Sequence, residues 1–136
     1  MNIPLFHEFL QSGDTLWVCE GDSRLFTSKE DALLPLIEYI DKFGPRQKQV
    51  TILDRVMGNA AALLSVKANA RKVYSPLGSE SARNTLDKYN VEHHLDEVVP
   101  FIQAGDKEAM CPMEKLSISK DTSPDEFYEV VKRHCG

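Results

Sequence analysis

The chain has 136 residues, enough for one domain with one core, and its 42% hydrophobic and 27% charged content is that of soluble globular proteins. Its formal net charge is −5 and its basic residues form no run, so a nucleic-acid backbone would be repelled and nucleic acid is not an expected partner. No apolar run is long enough for a membrane span, and "MNIPLFHEFLQSG" lacks the pattern of a signal peptide, which leaves a cytoplasmic location as the default.

In chain order, "IPLFHEFLQSG" sets Ile3, Leu5, Phe6, Phe9 and Leu10 at helical spacing, and Gly13 ends the run. "TLWVCE" and "RLFTS" are β-rich and predict a hairpin with Gly21 and Asp22 in its turn. "SKEDALLPLIEYIDKFG" predicts a helix opened by Ser28 and Asp31 in a capping-box-like pattern and closed by Gly44 and Pro45. Pro35 removes a donor and crowds the preceding turn, so a start near Leu34 is the alternative. "QVTILD" reads as a central strand apolar on both faces.

"DRVMGNAAALLSVKANA" follows as an alanine-rich helix whose small residues Gly58, Ala60, Ala61 and Ala62 allow close packing. "KVYSP" is a strand ended by Pro76 and Gly78. "SESARNTLDKYN" is a helix with Ser79 as N-cap and Asn90 as its stop. "VEHHL" is a short strand, and "DEVVPFIQ" is ambiguous, one helical turn broken by Pro100 being the reading offered. "CPMEKLSIS" starts a short helix with Pro112 in its first turn. "SPDEFYEVVKRHC" carries the clearest capping box, with Ser123 as N-cap, Pro124 at N1 and Glu126 at N3. Strands alternating with helices imply an α/β fold, a three-layer α/β/α sandwich with a mixed sheet of about five strands in a single domain spanning 1–136. Ligand sites in such folds lie beyond the carboxyl ends of the strands.

The three cysteines, Cys19, Cys111 and Cys135, match no zinc or disulfide framework and are expected as free thiols. Cys19 lies in a strand and Cys135 near the end of the chain, so only Cys111 has polar company.

The α-β-β-α-β-α-β-α-β order resembles the cytidine-deaminase-like fold. In that superfamily a histidine and a glutamate (H-x-E) start the helix after the hairpin, and P-C-x-x-C starts the helix after the third strand. The corresponding stretches here are "TSKEDALLP" and "LDRVMGNAAALL", and none of the four histidines stands in either. The resemblance therefore implies a zinc-less member, with zinc expected absent and no cofactor predicted. "LDRVMGNAAALL", "KVYSPLGSESA" and "MCPMEK" together resemble a bacterial family of unknown function in that superfamily, over about Leu16 to Val131. Its members share an Asp before a Gly/Ala-rich helix and a late C-P-M-E-[KR] block. Asn59 departs from the lysine expected after the glycine. The family has no established activity, so the resemblance implies a fold and a pocket.

Each candidate site residue has a functional and a structural reading. Asp54 is an N-cap, or a pocket carboxylate that binds a ribose hydroxyl or acts as base or nucleophile. Gly58 and Asn59 bring backbone N–H groups toward a phosphate, or Gly58 serves tight packing. Arg55 is a solvated surface residue or reaches an anionic ligand. Ser75 bonds a ligand or serves a turn. Cys111, at a helix start with Lys115 four residues on, is an activated thiol or a small buried hydrophobe. Glu114 is a helix-start charge, a partner for another helix or, with Lys115, a ligand-binding residue; it does not face its neighbour Lys115. His93 and His94 point to opposite faces of a strand and are surface residues rather than a chelate. Phe127, Val130 and Val131 are core or a dimer surface.

The leading expectation is a domain that binds a small nucleoside- or nucleotide-like ligand in a cleft lined by Asp54, Arg55, Asn59 and Cys111. The alternatives are a Cys111-dependent enzyme and a non-catalytic interaction protein. A homo-oligomer is compatible with each.

Overall fold

A computed structural model describes residues 3–21, 23–30, 33–44, 48–102, 117–118 and 123–135. Within them the order is α1 (Ile3–Gln11), β1 (Leu16–Glu20), β2 (Ser23–Ser28), α2 (Leu34–Phe43), β3 (Val50–Asp54), β4 (Val56–Met57), α3 (Asn59–Lys67), β5 (Ala70–Ser79), α4 (Glu80–Lys88), β6 (Glu92–Val99) and α5 (Pro124–Cys135).

The hairpin forms as its residues predict. β1 and β2 pair antiparallel, and Glu20 faces Ser23 across a two-residue turn. Gly21 has φ 59°, the left-handed backbone that such a turn asks of its first residue. β1 also pairs antiparallel with β3, whereas β3, β4 and β6 each pair β5 in parallel. The result is an open, mixed, six-stranded sheet. β3 and β4 follow one another along one side of β5, so the two-residue β4 extends the column that β3 begins. β6 takes the other side.

Strand alternation sorts the apolar residues into two cores. Leu16, Val18, Val50, Ile52 and Val73 face one side, where Leu36, Ile40, Leu64, Leu86 and Phe127 of α2 to α5 cover them. Trp17, Cys19, Leu53 and Tyr74 face the other, where Phe6 and Phe9 of α1 cover them. Helices thus lie on both faces of the sheet. α3 is enclosed within the larger layer: every residue from Asn59 to Ser65 is buried, and the run of alanines lets its neighbours approach.

Several boundaries differ from the sequence expectation, each for a local reason. Ser28 does not open a helix. It is the last residue of β2, where its carbonyl accepts the Thr15 N–H, and its Oγ accepts the Glu30 N–H at 3.1 Å. α2 begins at Leu34, the later start that Pro35 favours, because a missing N–H is harmless in a first turn. Asp31 lies outside the described residues. α3 begins at Asn59 with Gly58 as its N-cap, because Val56 and Met57 pair with Leu77 and Gly78 instead of entering the helix.

β5 does not stop at Pro76 but runs to Ser79. Tyr74 is its last residue paired to β3, and Leu77 is its first paired to β4. The proline, which has no N–H to give a ladder, falls in that gap. β6 continues through Val99, since Leu77 to Ser79 offer it partners, so "DEVV" is strand and not a helical turn.

Helix stops and caps follow the sequence more closely. Asn90 takes φ 60° just beyond α4, as expected, whereas α3 ends at Lys67, short of the expected Ala70, with Asn69 at φ 66° behind it. Ser79 Oγ accepts the Ala82 N–H at 3.0 Å, and Ser123 Oγ accepts the Glu126 N–H at 3.2 Å. Phe127 and Val131 lie in the larger core. Of the helix expected to start at Cys111, Ser117 and Ile118 are among the described residues, and both are helical.

Candidate functional site

β3 lies between β1 and β5, and its residues are apolar on both faces until Asp54 ends it. Alternation puts Asp54 on the same face as Ile52, under the α2–α5 layer and paired with Leu16. The side chain is 9% exposed. Its carboxylate accepts the backbone N–H groups of Arg55 and Val56, and no ion pair among the described residues includes it. Burial pushes its pKa from 3.8 up to about 7, and the two N–H bonds oppose that rise. Near neutral pH the group therefore exists in both forms. Protonated it donates a hydrogen bond, ionised it accepts, and it suits proton transfer. It is not the N-cap of α3; that position belongs to Gly58.

Arg55 has a task that neither of its expected readings named. Its Nε donates to the Asp14 carbonyl at 2.9 Å and its Nη1 to that of Leu10 at 3.1 Å. Its Nη2 donates to the carbonyls of Phe9 at 2.9 Å and Ser12 at 2.6 Å. The guanidinium also lies 4.6 Å from the centroid of the Phe9 ring. The last turn of a helix leaves carbonyls without intrahelical partners, and its dipole favours a cation, so Arg55 closes the end of α1.

Asn59, at the first position of α3, is 5% exposed. Its amide nitrogen donates to the Ser117 carbonyl at 3.2 Å and to Ser117 Oγ at 3.1 Å, and its amide oxygen accepts from the Thr85 hydroxyl. One side chain thereby joins α3, α4 and the segment containing Ser117. Neither Thr85 nor Ser117 carries a spacing signal in the sequence that marks it for this. Ser75 is buried on the Asp54 face, one register step beyond the Leu53–Tyr74 pair. Its hydroxyl donates to the Leu77 carbonyl at 2.9 Å and so spans Pro76. Gly58 has extended backbone, and its carbonyl accepts the Ala62 N–H at 2.9 Å. The structure thus sets Asp54, Gly58, Asn59 and Ser75 around the crossover from β3 into α3. Cys111, Glu114 and Lys115 lie outside the described residues.

His93 and His94 follow the strand geometry. Nε2 of His93 is 2.9 Å from Asp87, and Nε2 of His94 is 2.9 Å from Asp96. His94 also meets the Phe6 ring edge-on at 5.5 Å. Among the described residues no group of three or more His, Cys, Asp or Glu side chains is placed to hold a metal ion. No helix among them is long and apolar enough to cross a membrane. An open groove of about 490 Å³ lined by Lys72, Asp87, Asn90 and His93 lies at the amino ends of β5 and β6, the end opposite to Ser79 and Val99.

An α/β domain with an open mixed sheet and a buried carboxyl closing an inner strand is the class of protein that this fold and site define. The chain belongs to the DUF1893 family, a domain of unknown function, whose pattern matches residues 6–134. It is similar to the crystal structure of a DUF1893 family protein from Thermotoga maritima, at 25% sequence identity and a TM-score of 0.86. The match covers 96% of this chain and 87% of that one. No curated protein matches the chain.

Proposed function

We propose that this domain binds a small nucleoside- or nucleotide-like ligand at the carboxyl end of β3, with Asp54 as the group that contacts it. The observation that carries the reading is the Asp54 carboxyl itself. It is held away from water with only two backbone N–H groups as partners among the described residues. A buried carboxyl without a counter-charge costs folding stability, which a ligand partner offsets. Its position also agrees with the general place of ligands in open α/β sheets. A carboxyl titrating near neutrality matches a nucleoside, because it accepts from a ribose hydroxyl when ionised and donates to a base nitrogen or carbonyl when protonated. The deaminase-like order of elements supports that ligand class by analogy. Gly58, Asn59 and Ser75 complete the proposed lining.

The test is a thermal-shift series with nucleosides, nucleotides and dinucleotides on the wild type and Asp54→Ala. At a ligand concentration about 100-fold above Kd, binding stabilises the fold by about 2.7 kcal/mol, a shift of several degrees. That shift is expected for the wild type and not for the variant. No shift with any compound, or equal shifts in both proteins, removes the assignment.

A second reading, a Cys111-dependent enzyme, is favoured by the Asn59–Ser117 tie. Cys111 stands six residues before Ser117 in the sequence, which is within about 20 Å of chain reach. Ser117, two residues past the C-P-M-E-K block in the sequence, is thereby held at the start of α3. On this reading Cys111 displaces iodide from iodoacetamide faster than a model thiol at neutral pH, and Cys111→Ser abolishes the fast phase. A rate no greater than that of the model thiol removes it.

A further inference from the structure

We infer that Arg55 is a positioning residue for Asp54, its side chain holding the bend between β3 and β4 that points two backbone N–H groups at the carboxylate. The observations concern the backbone at residue 55. On one side β1 begins at Leu16, opposite Asp54, so its ladder ends before Arg55. On the other side pairing to β5 lapses between Leu53↔Tyr74 and Val56↔Leu77. No strand pairing reaches residue 55 from either neighbour. Its anchor is instead its own side chain, which donates to four main-chain carbonyls of residues 9 to 14 and rests on the Phe9 ring. The N–H groups that Asp54 accepts belong to Arg55 and Val56, the unpaired residue and the first residue of β4. The clamp on α1 and the geometry at Asp54 are thus the two sides of one bend.

This deepens the assignment of Asp54 as the ligand-contacting group, yet it is tested without any ligand. A failure of nucleoside binding therefore leaves it standing, and its own failure leaves the binding assay unaffected. The Asp54 side-chain carboxyl is titrated by carbon-detected NMR in the full chain, as wild type and as Arg55→Gln. Hydrogen bonds to the carboxylate favour the charged form, so their loss is expected to move the midpoint upward by about half a pH unit or more. Arg55→Lys keeps the charge but cannot span four carbonyls; it serves if Arg55→Gln does not fold, and it is expected to move the midpoint in the same direction. An unchanged midpoint with a lowered melting temperature makes Arg55 a cap of α1 and nothing more. A midpoint that falls toward an ordinary aspartate value means that the clamp excludes water rather than aiming the N–H groups. Either result overturns the inference.

Discussion

Burial of the Asp54 carboxyl ties folding stability to pH in the direction opposite to that of a salt-bridged acid. Its pKa is about 7 in the folded chain against 3.8 for an exposed aspartate. Between those values the folded state keeps a proton that the unfolded state releases, so stability falls as pH rises through that window. The full effect is about 4 kcal/mol and is flat below about pH 4 and above about pH 7. Denaturant titrations of wild type and Asp54→Asn from pH 4.5 to 8 check this. The variant is expected to gain on the wild type steadily up to neutrality; parallel curves contradict a buried, unpaired acid. Asp54 was legible in the sequence because a carboxylate closing an apolar run is conspicuous. The task of Arg55 was not, because its partners are backbone carbonyls 41 to 46 residues earlier. Main-chain acceptors leave no trace in residue identity.

At the scale of elements, local chemistry sets the helix ends and tertiary pairing sets the strand ends. Ser79 caps α4 through the Ala82 N–H, and Ser79→Ala is expected to cost about 1 kcal/mol in chemical denaturation. Ser65 presents the reverse case. Its hydroxyl is buried in α3 with no hydrogen-bond partner among the described residues. Ser65→Ala is expected to stabilise by about 1 kcal/mol, from a released polar group and better helix propensity. A loss of stability shows instead that the hydroxyl is satisfied. On β5, a Cβ added at Gly78 would stand 2.6 Å from a Leu95 methyl. Gly78→Ala therefore forces that half-buried, flexible side chain to turn aside and is expected to lower the melting temperature slightly, by about 1 kcal/mol or less of stability. The serine caps and the Asn90 stop could be read from the sequence because they act within four residues. The lengths of β5 and β6 could not, because each is extended by a partner that only the sheet supplies.

Over the whole molecule the sheet carries two cores of unequal cover. Among the described residues α2 to α5 cover one face, and α1 packs over Trp17, Leu53 and Tyr74 on the other. Phe9 is central to that smaller core and meets Trp17 edge-on at 5.4 Å, while the Trp17 indole N–H donates to Asp14 at 2.6 Å. Phe9→Ala is expected to cost about 3–5 kcal/mol. It also removes the ring beneath Arg55. Trp17 is the only tryptophan of the chain, so its emission reports this face alone. A shift to longer wavelength at folded baseline is expected in the variant. An unshifted spectrum means that α1 stays seated without Phe9.

By itself the sequence determined the α/β class, the hairpin, the inner position of β3 and the caps of α4 and α5. Each of these follows from hydrophobic period or from hydrogen bonds to near neighbours, which residue order specifies directly. It also marked Asp54 and the family resemblance. Only the tertiary structure decided where β5 and β6 end, that Pro76 sits at a change of partners, and that Arg55 and Asn59 spend their polar groups on distant segments. Those outcomes depend on which strands and carbonyls come together in space, and a period of two or of 3.6 residues does not encode that.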